Sequence, residues 1–114
     1  MNWNELTTEA QWSELLGKSE SIPQLVFKHS TRCSISSMIW KRLERSEAPA
    51  GIDFYFLDLI RFRDLSNKIA EDMRVEHQSP QVLLIRQGKC IYNESHNAIQ
   101  MAEIAEQGKI SAQH

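Results

Sequence analysis

The sequence contains few of the residues that cross-link or interrupt a small protein chain. Its 114 residues include two cysteines, three prolines and four glycines. Two cysteines are too few for the disulfide framework of a small secreted protein, so a cysteine-rich scaffold is excluded. There is no internal repeat and no low-complexity segment. We predict a single domain over residues 1–114, with a core of about 8–105.

Long apolar runs and an excess of one charge are also missing. Thirteen basic and fifteen acidic residues give a net charge of −2, which provides no general reason to expect a nucleic-acid or membrane partner. The longest apolar stretches, around 54–57 and 82–85, are too short to cross a bilayer. The first residues are polar and acidic, unlike a signal peptide. We therefore expect a cytoplasmic, reducing setting, in which an isolated cysteine is more often catalytic than structural.

Apolar spacing and turn signals predict the order helix, strand, helix, strand, helix, strand, strand, helix. The predicted elements are a helix over 8–17, a strand over 25–28, a helix from Cys33 to near Ser46, a strand over 53–59, a helix capped by Asp64, strands over 82–85 and 90–92, and a last helix capped by Ser95 or Asn97. The tail after Gly108 is predicted to fray.

This order of elements predicts an α/β fold. The first β-α-β unit needs a right-handed crossover and hence parallel strands, whereas the late hairpin is antiparallel. A mixed four-stranded sheet flanked by helices on both faces follows, which is the thioredoxin-like layout. Ligands in such sheets gather beyond the carboxyl ends of the parallel strands.

Cys33 lies at such a position, because an apolar run ends in a short polar turn just before it and a helical pattern begins just after it. The first amides of that helix and its dipole favour a thiolate over a thiol. Lys28 and Arg32 act in the same direction, as does His29 if it is protonated. The sequence therefore predicts Cys33 as a reactive nucleophile, and the alternative is a buried cysteine that only packs.

Cys33 and Ser36 form a C-x-x-S motif. Because Ser36 stands where a dithiol site has its second cysteine, a mixed disulfide on Cys33 must be resolved by an external thiol. The Ser36 hydroxyl could donate a hydrogen bond to the thiolate. Cys90 is expected to be a half-buried strand residue. A disulfide with Cys33 is not expected, because the far end of the hairpin keeps the two Cα atoms too far apart.

Three polar loops, 28–33, 77–80 and 95–97, are expected to converge on one end of the sheet. In thioredoxin-like folds the proline equivalent to Pro80 is cis and faces the cysteine; the alternative is an ordinary trans proline at a strand entrance. No closed metal site is expected, because His29 and Cys33 have no further ligands near them in sequence. The substrate-binding candidates are Lys28, His29, Thr31, Arg32, His77, Ser79, Pro80, Ser95 and His96.

Together these features resemble the YtxJ-like proteins of the bacillithiol system, the monothiol bacilliredoxins. The resemblance is carried by residues 28–33 with Ile35 and Ser36, by 79–81 leading into 83–85, by 88–89, and by 95–96. It covers about residues 8–105. The family commonly has Cys-Pro-Ile-Ser, so Ser34 replaces a proline here.

The resemblance implies a thioredoxin fold, bacillithiol as thiol co-substrate, and removal of bacillithiol from S-bacillithiolated cytosolic proteins. Bacillithiol carries a malate with two carboxylates, for which Lys28, Arg32 and the amino end of the last helix offer positive potential. Two other functions stay open. One is an iron–sulfur carrier of the monothiol glutaredoxin kind, although that family normally has Gly-Phe where this chain has Ser34-Ile35. The other is a thioredoxin-fold binding module without turnover.

Overall fold

The computed structural model describes residues 2–112. Its α-helices are α1 (Glu9–Lys18), α2 (Ser34–Arg45), α3 (Arg63–Met73) and α4 (Met101–Ala112), and a short 3-10 turn spans His96–Ala98. Its strands are β1 (Asn4–Glu5), β2 (Gln24–His29), β3 (Asp53–Asp58), β4 (Gln81–Arg86) and β5 (Lys89–Ser95). Within the described range, none of the helices is both long enough and apolar enough to cross a bilayer.

The strands form one mixed sheet in the order β1-β3-β2-β4-β5. Strand β3 runs parallel to both β1 and β2, whereas β4 is antiparallel to β2 and β5 is antiparallel to β4. The predicted mixed sheet is therefore confirmed, but with five strands rather than four. The prediction missed β1 because its two residues, Asn4 and Glu5, are polar and exposed and carry no apolar signal.

Helices cover both faces of the sheet, and each face has its own apolar core. One core joins α1 and α3 to the sheet through residues such as Trp12, Ile69 and Val26. The other joins α2 and α4 through residues such as Ile39 and Ile104. Because β2 lies between β3 and β4, all six of its residues are buried. A strand covered on both faces is expected to be apolar without alternation, and β2 departs from this at three buried polar residues, Gln24, Lys28 and His29.

Helix α1 begins as the sequence predicts. The Thr8 hydroxyl accepts a hydrogen bond from the Gln11 amide at 3.1 Å, and the Gln11 side chain accepts one from the Thr8 amide at 3.1 Å. This reciprocal pair is a capping box, which satisfies amides that a helix start otherwise leaves without partners. Helix α1 extends to Lys18, one residue beyond the prediction.

Two predicted helix starts are wrong. Phe62 is the N-cap of α3, so Asp64 lies in the first turn instead of capping the helix. Ser95 ends β5 and precedes the 3-10 turn of His96–Ala98, and α4 begins only at Met101. His96 has a left-handed backbone with φ of 58°, which breaks the chain direction between β5 and the helix that follows.

The predicted fraying after Gly108 is also wrong for residues 109–112, which continue α4. The reason is tertiary packing, because Ser111 is buried and Gly108 lies directly against Ile52. A Cβ atom at Gly108 would approach the Ile52 Cδ1 atom to 2.5 Å, so glycine allows α4 to lie this close. Residues 113–114 of the tail lie outside the described residues.

Candidate active site

Cys33 lies beyond the carboxyl end of β2 and is the N-cap residue of α2. Its amide donates to the Ser30 carbonyl at 3.1 Å, and its own carbonyl accepts the Ser37 amide at 3.0 Å, the first bond of the helix. The side chain is partly exposed and forms no disulfide. An N-cap side chain lies beside the first free amides of the helix, which stabilise a negative charge there.

Ser36, three residues into α2, is fully buried. Its oxygen accepts the Ser30 amide at 3.0 Å and is hydrogen-bonded to His29 Nδ1 at 2.7 Å. The sequence suggested that this hydroxyl donates to the Cys33 thiolate. In the structure both hydrogen bonds of the Ser36 side chain are formed instead with His29, the last residue of β2, and with Ser30, the residue after it. Ser36 thereby connects the start of α2 to the end of β2.

His29 ends β2 and has only 8% of its surface exposed. Its ring stacks on Trp40 of α2, with centroids 5.5 Å apart and an angle of 22° between the planes. Burial lowers the pKa of His29, and the nearby carboxylate of Asp58 partly opposes this shift. A buried, stacked imidazole does not offer a surface to a substrate, so the expectation that His29 binds substrate directly is not supported by its position.

Lys28 is fully buried on the opposite face of β2. Its ammonium donates to the backbone carbonyl of Ser66 in α3 at 2.9 Å and lies 3.5 Å from His77 Nδ1. Burial lowers the pKa of Lys28 to about 8. The expected role of Lys28 as a cation for substrate carboxylates therefore conflicts with its place in the interior, where it connects the sheet to α3.

His77 lies in the loop between α3 and β4, in hydrogen-bond range of Ser66 as well as Lys28. Burial lowers the pKa of His77, and the positive charges of Lys28 and Arg63 lower it further. Gln81 fixes the same loop, because its amide donates to the Glu76 carbonyl at 3.0 Å. The loop that leads to Pro80 is thus tied to both the sheet and α3.

The Ser79–Pro80 peptide bond is cis, as the thioredoxin-like layout predicts. The Pro80 carbonyl accepts the His96 amide at 2.9 Å, which joins the proline loop to the turn after β5. Arg42 of α2 donates to the Asn97 carbonyl at 3.0 Å, so the same turn is joined to the cysteine helix. The Pro80–His96 bond joins two of the three predicted polar loops, and the pairing of Lys28 with Gln81 places the third at the same end of the sheet. The Ser79 hydroxyl is buried there, and residues 2–112 give it no hydrogen-bond partner.

The remaining predicted site residues differ in exposure. Thr31, Arg32 and His96 are exposed, whereas Ser95 is half-buried and its amide donates to the Glu94 carboxylate. Arg32, the residue before the N-cap Cys33, is therefore the exposed cation nearest to it in sequence.

Sequence reasoning missed a basic face along α2. A groove of about 660 Å³ begins at Ser34, next to Cys33, and runs along one side of the helix. Its lining residues are Ser34, Ser37, Met38, Lys41, Arg42 and Arg45. Their spacing of three or four residues is the signal that could have revealed the face. In the described part of the chain, neither Lys41 nor Arg45 forms an ion pair.

Cys90 lies on β5 and is half-buried, as predicted. Its thiol donates to the Tyr92 carbonyl at 3.3 Å. Burial raises the pKa of the Cys90 thiol, although hydrogen bonds with Tyr92, Leu84 and Asn93 reduce the shift. Across residues 2–112, no three side chains of histidine, cysteine, aspartate or glutamate come together as a metal-ligand set.

Solved structures with the same architecture carry the thioredoxin fold. One, described as a proposed oxidoreductase with a thioredoxin fold, has a TM-score of 0.76 and 28% identity and covers 91% of each chain. Thioredoxin from Malassezia sympodialis has a TM-score of 0.73 and 11% identity, with 97% of this chain and 91% of that one covered. Thioredoxin from Trypanosoma brucei brucei has a TM-score of 0.73 and 14% identity, with 99% and 93% covered.

These likenesses confirm the predicted thioredoxin fold, and the sequence relationship is more specific. The family model for the monothiol bacilliredoxin BrxC matches residues 4–104, which include the cysteine turn, the cis-proline loop and the turn after β5. The predicted resemblance is thereby confirmed over nearly the whole chain. The protein belongs to the monothiol bacilliredoxin family BrxC.

Proposed function

We propose that this thioredoxin-fold thiol oxidoreductase removes bacillithiol from S-bacillithiolated proteins of the cytoplasm, with Cys33 as the nucleophile. The single observation that carries the proposal is the position of Cys33: partly exposed, at the N-cap of α2, and on a chain of the BrxC family. In thiol–disulfide exchange the attacking species is a thiolate. The amino end of a helix is a favourable place to hold one.

The reaction consists of two exchanges. The Cys33 thiolate attacks the bacillithiol sulfur of the mixed disulfide, a Cys33–bacillithiol disulfide forms, and the substrate protein leaves as a thiolate that takes a proton. The thiolate of a second bacillithiol then attacks the bacillithiol sulfur on Cys33. Cys33 returns as a thiolate, and oxidised bacillithiol leaves. For each substrate cysteine that is reduced, one free bacillithiol is oxidised, and it leaves as a disulfide with the bacillithiol that the substrate carried.

The C-x-x-S motif supports the need for an external thiol in the second exchange. Ser36 occupies the position of a resolving cysteine, and Cys90 is half-buried on β5, which is an outer strand of the sheet. An intramolecular route would need a second sulfur whose Cα lies within about 7 Å of Cys33. We therefore propose bacillithiol itself as the resolving thiol.

The distribution of positive charge supports an acidic co-substrate. Arg32 is exposed just before Cys33, and the groove along α2 continues from Cys33 toward Lys41 and Arg45. At 1.5 Å of rise per residue, Lys41 lies about 10 Å along the helix from Ser34. Basic side chains along this distance can form ion pairs with the two malate carboxylates of bacillithiol. Such pairs combine charge attraction with hydrogen bonds.

The test uses a model protein that carries one S-bacillithiolated cysteine. Incubation with the protein and reduced bacillithiol is expected to release the substrate thiol, and mass spectrometry under oxidant is expected to show one bacillithiol on Cys33. Cys33→Ala should abolish both results. The matched control is Cys90→Ser, which removes the other thiol and should keep both activity and adduct.

The outcomes separate the alternatives. If Cys33→Ala removes bacillithiol as fast as the parent protein, Cys33 is not the nucleophile and the mechanism is wrong. If the parent protein binds the modified substrate but releases no thiol, the chain is a binding module. Visible absorbance after anaerobic reconstitution with iron and sulfide, lost in Cys33→Ala, would indicate an iron–sulfur carrier instead.

A further inference from the structure

The hydrogen bonds of Ser36 raise a question about its single proton. A serine hydroxyl has one proton to donate and two lone pairs to accept with. The Ser30 amide, at 3.0 Å, takes one lone pair of the Ser36 oxygen. Because the side chain is fully buried, water does not satisfy the rest, and the bond to His29 Nδ1 at 2.7 Å must be formed in one of two ways.

A proton on Nδ1 decides between the two: Nδ1 has none in the neutral tautomer that is protonated on Nε2, and it has one in the imidazolium. When Nδ1 carries no proton, the Ser36 hydroxyl donates to it, and the Ser36 proton is engaged. When His29 is an imidazolium, both ring nitrogens carry protons. Nδ1 then donates to the second lone pair of the Ser36 oxygen, and the Ser36 proton is released for another acceptor.

The hydrogen bonds of the Ser36 side chain go to Ser30 and His29, and the Cys33 sulfur is the candidate for that other acceptor because of its place in the same turn. Cys33 is the N-cap of α2 and Ser36 is the third residue of the first turn. These are the two positions that face each other in a capping box, where each side chain reaches back toward the other residue. Cys33 makes no side-chain capping bond of its own. A sulfur that carries negative charge is a stronger acceptor than a neutral thiol.

We propose that His29 is a positioning residue for Cys33 that acts through Ser36: the imidazolium form turns the Ser36 hydroxyl toward the sulfur, and the neutral form, with its proton on Nε2, draws it away. This inference rests on the proposed role of Cys33 as the nucleophile. It assigns a function to a buried histidine that the exchange reaction does not itself require. The coupling is reciprocal, so a negative sulfur also favours the protonated ring.

The surroundings of His29 set the pH range in which this exchange operates. Asp58, its register partner on β3, favours the imidazolium. From α2, Trp40 covers one face of the ring, and from β2 itself Phe27 lies 5.6 Å away between ring centroids. Lys28, the other charged neighbour on the strand, faces the opposite side of the sheet and is bonded to α3. Burial outweighs Asp58, so the pKa of His29 is lowered and its imidazolium forms at a lower pH than that of an ordinary histidine.

The first experiment measures the second-order rate of Cys33 alkylation by iodoacetamide between about pH 5 and about pH 9, in Ser36→Ala, His29→Phe and the parent protein. His29→Phe keeps an aromatic ring against Trp40. At about pH 5 each variant is expected to react about fivefold more slowly than the parent, because one hydrogen bond to the sulfur is lost. At about pH 9 all three proteins should react at the same rate. The double variant should match the single ones, whereas Ser36→Thr, which keeps a hydroxyl, should restore the parent profile.

A purely structural role for the pair would shift the rate by the same factor at every pH, so a constant ratio overturns the proposal. The proposal is also overturned if His29→Phe slows the alkylation of Cys33 at low pH and Ser36→Ala does not. Iodoacetamide needs no bacillithiol, and the experiment therefore stands even if the proposed substrate is wrong.

A second measurement avoids substitutions that could unfold the protein. The His29 ring is titrated by NMR in the parent protein, with Cys33 free and with Cys33 capped as its methyl disulfide. The midpoint of the His29 titration is expected to fall when the sulfur is capped, since a capped sulfur cannot become negative. An unchanged midpoint overturns the coupling.

Discussion

The ammonium nitrogen of Lys28 lies 2.9 Å from the backbone carbonyl oxygen of Ser66, in the interior between β2 and α3. A second contact, 3.5 Å to His77, extends from the same nitrogen to the loop before Pro80. A buried cation without a carboxylate partner is costly, because desolvation opposes its charge. Lys28 therefore holds the sheet, α3 and the proline loop together at an electrostatic cost.

That cost predicts a specific pH dependence of stability. The pKa of Lys28 is lowered from 10.5 to about 8 in the folded protein. Between these values the unfolded chain binds more protons than the folded one, so the free energy of unfolding rises with pH. Complete titration of Lys28 over this window is expected to raise the free energy of unfolding by about 3 kcal/mol.

The measurement is urea unfolding at several pH values for the parent protein and for Lys28→Met, whose side chain is one atom shorter and carries no charge. The difference between the two curves isolates Lys28 from the other groups that titrate in alkali. The difference should change by about 3 kcal/mol from about pH 8 to about pH 10.5. Parallel curves would show that the Lys28 amine is solvated in the folded state.

The two cysteines are expected to differ in reactivity. Cys33 is at a helix start, whereas burial raises the pKa of Cys90 and its thiol donates to the Tyr92 carbonyl. Limiting iodoacetamide near neutral pH should therefore modify Cys33 at least about tenfold faster than Cys90. Peptide mass spectrometry measures the ratio, and unfolding in urea is the control that should bring it close to one. Equal labelling of the folded protein would contradict this assignment of the two thiols.

The basic face of α2 predicts a salt-dependent affinity. Reversal of charge in Lys41→Glu with Arg45→Glu is expected to raise KM for bacillithiol about five- to tenfold with little change in kcat, because the lost ion pairs act on binding. The effect should shrink in high salt. Lys18→Glu with Lys109→Glu is the matched control, since it changes the net charge by the same amount and both lysines are exposed in the last turns of their helices. A similar KM change in the control would show that net charge, rather than the groove, is responsible.

The close approach of α4 to Ile52 predicts that two glycines respond differently to alanine. A Cβ atom at Gly17 would have open space around it, whereas at Gly108 it would meet Ile52 Cδ1. Alanine is favoured over glycine in a helix by up to about 1 kcal/mol, so Gly17→Ala should stabilise the protein. In Gly108→Ala the new Cβ atom overlaps with Ile52 Cδ1, and this substitution should lower the free energy of unfolding by about 1 kcal/mol or more.

A double-mutant cycle tests the cause. Ile52→Val removes the Cδ1 atom, so Gly108→Ala should cost less in that background than in the parent protein by at least about 1 kcal/mol. Thermal or urea unfolding of the four proteins gives the coupling energy. Simple additivity would mean that α4 does not press on Ile52 as the structure has it.

Local signals in the sequence were sufficient for the reactive end of the molecule. The cysteine after an apolar strand, the capping box at Thr8 and the proline before β4 each depend on a few consecutive residues, and each was found without the fold. The sequence-based predictions were wrong where contacts between residues far apart in the chain determine the bounds of an element. The start of α4 and its continuation past Gly108 are the examples. Likewise, β1 exists only because β3 offers a free edge to two polar residues.

By itself, the sequence determined the order of the elements from α1 onward, the family, and the place of Cys33 at the start of a helix, because these follow from short-range periodicity and motif spacing. Only the tertiary structure decided which charged and polar neighbours of Cys33 face the interior. Lys28 and His29 are adjacent in the chain, yet Lys28 bonds to α3 and His29 to α2. Side chains alternate along a strand, and β2 is covered on both faces, so two polar residues that a sequence places on the surface become two separate buried contacts.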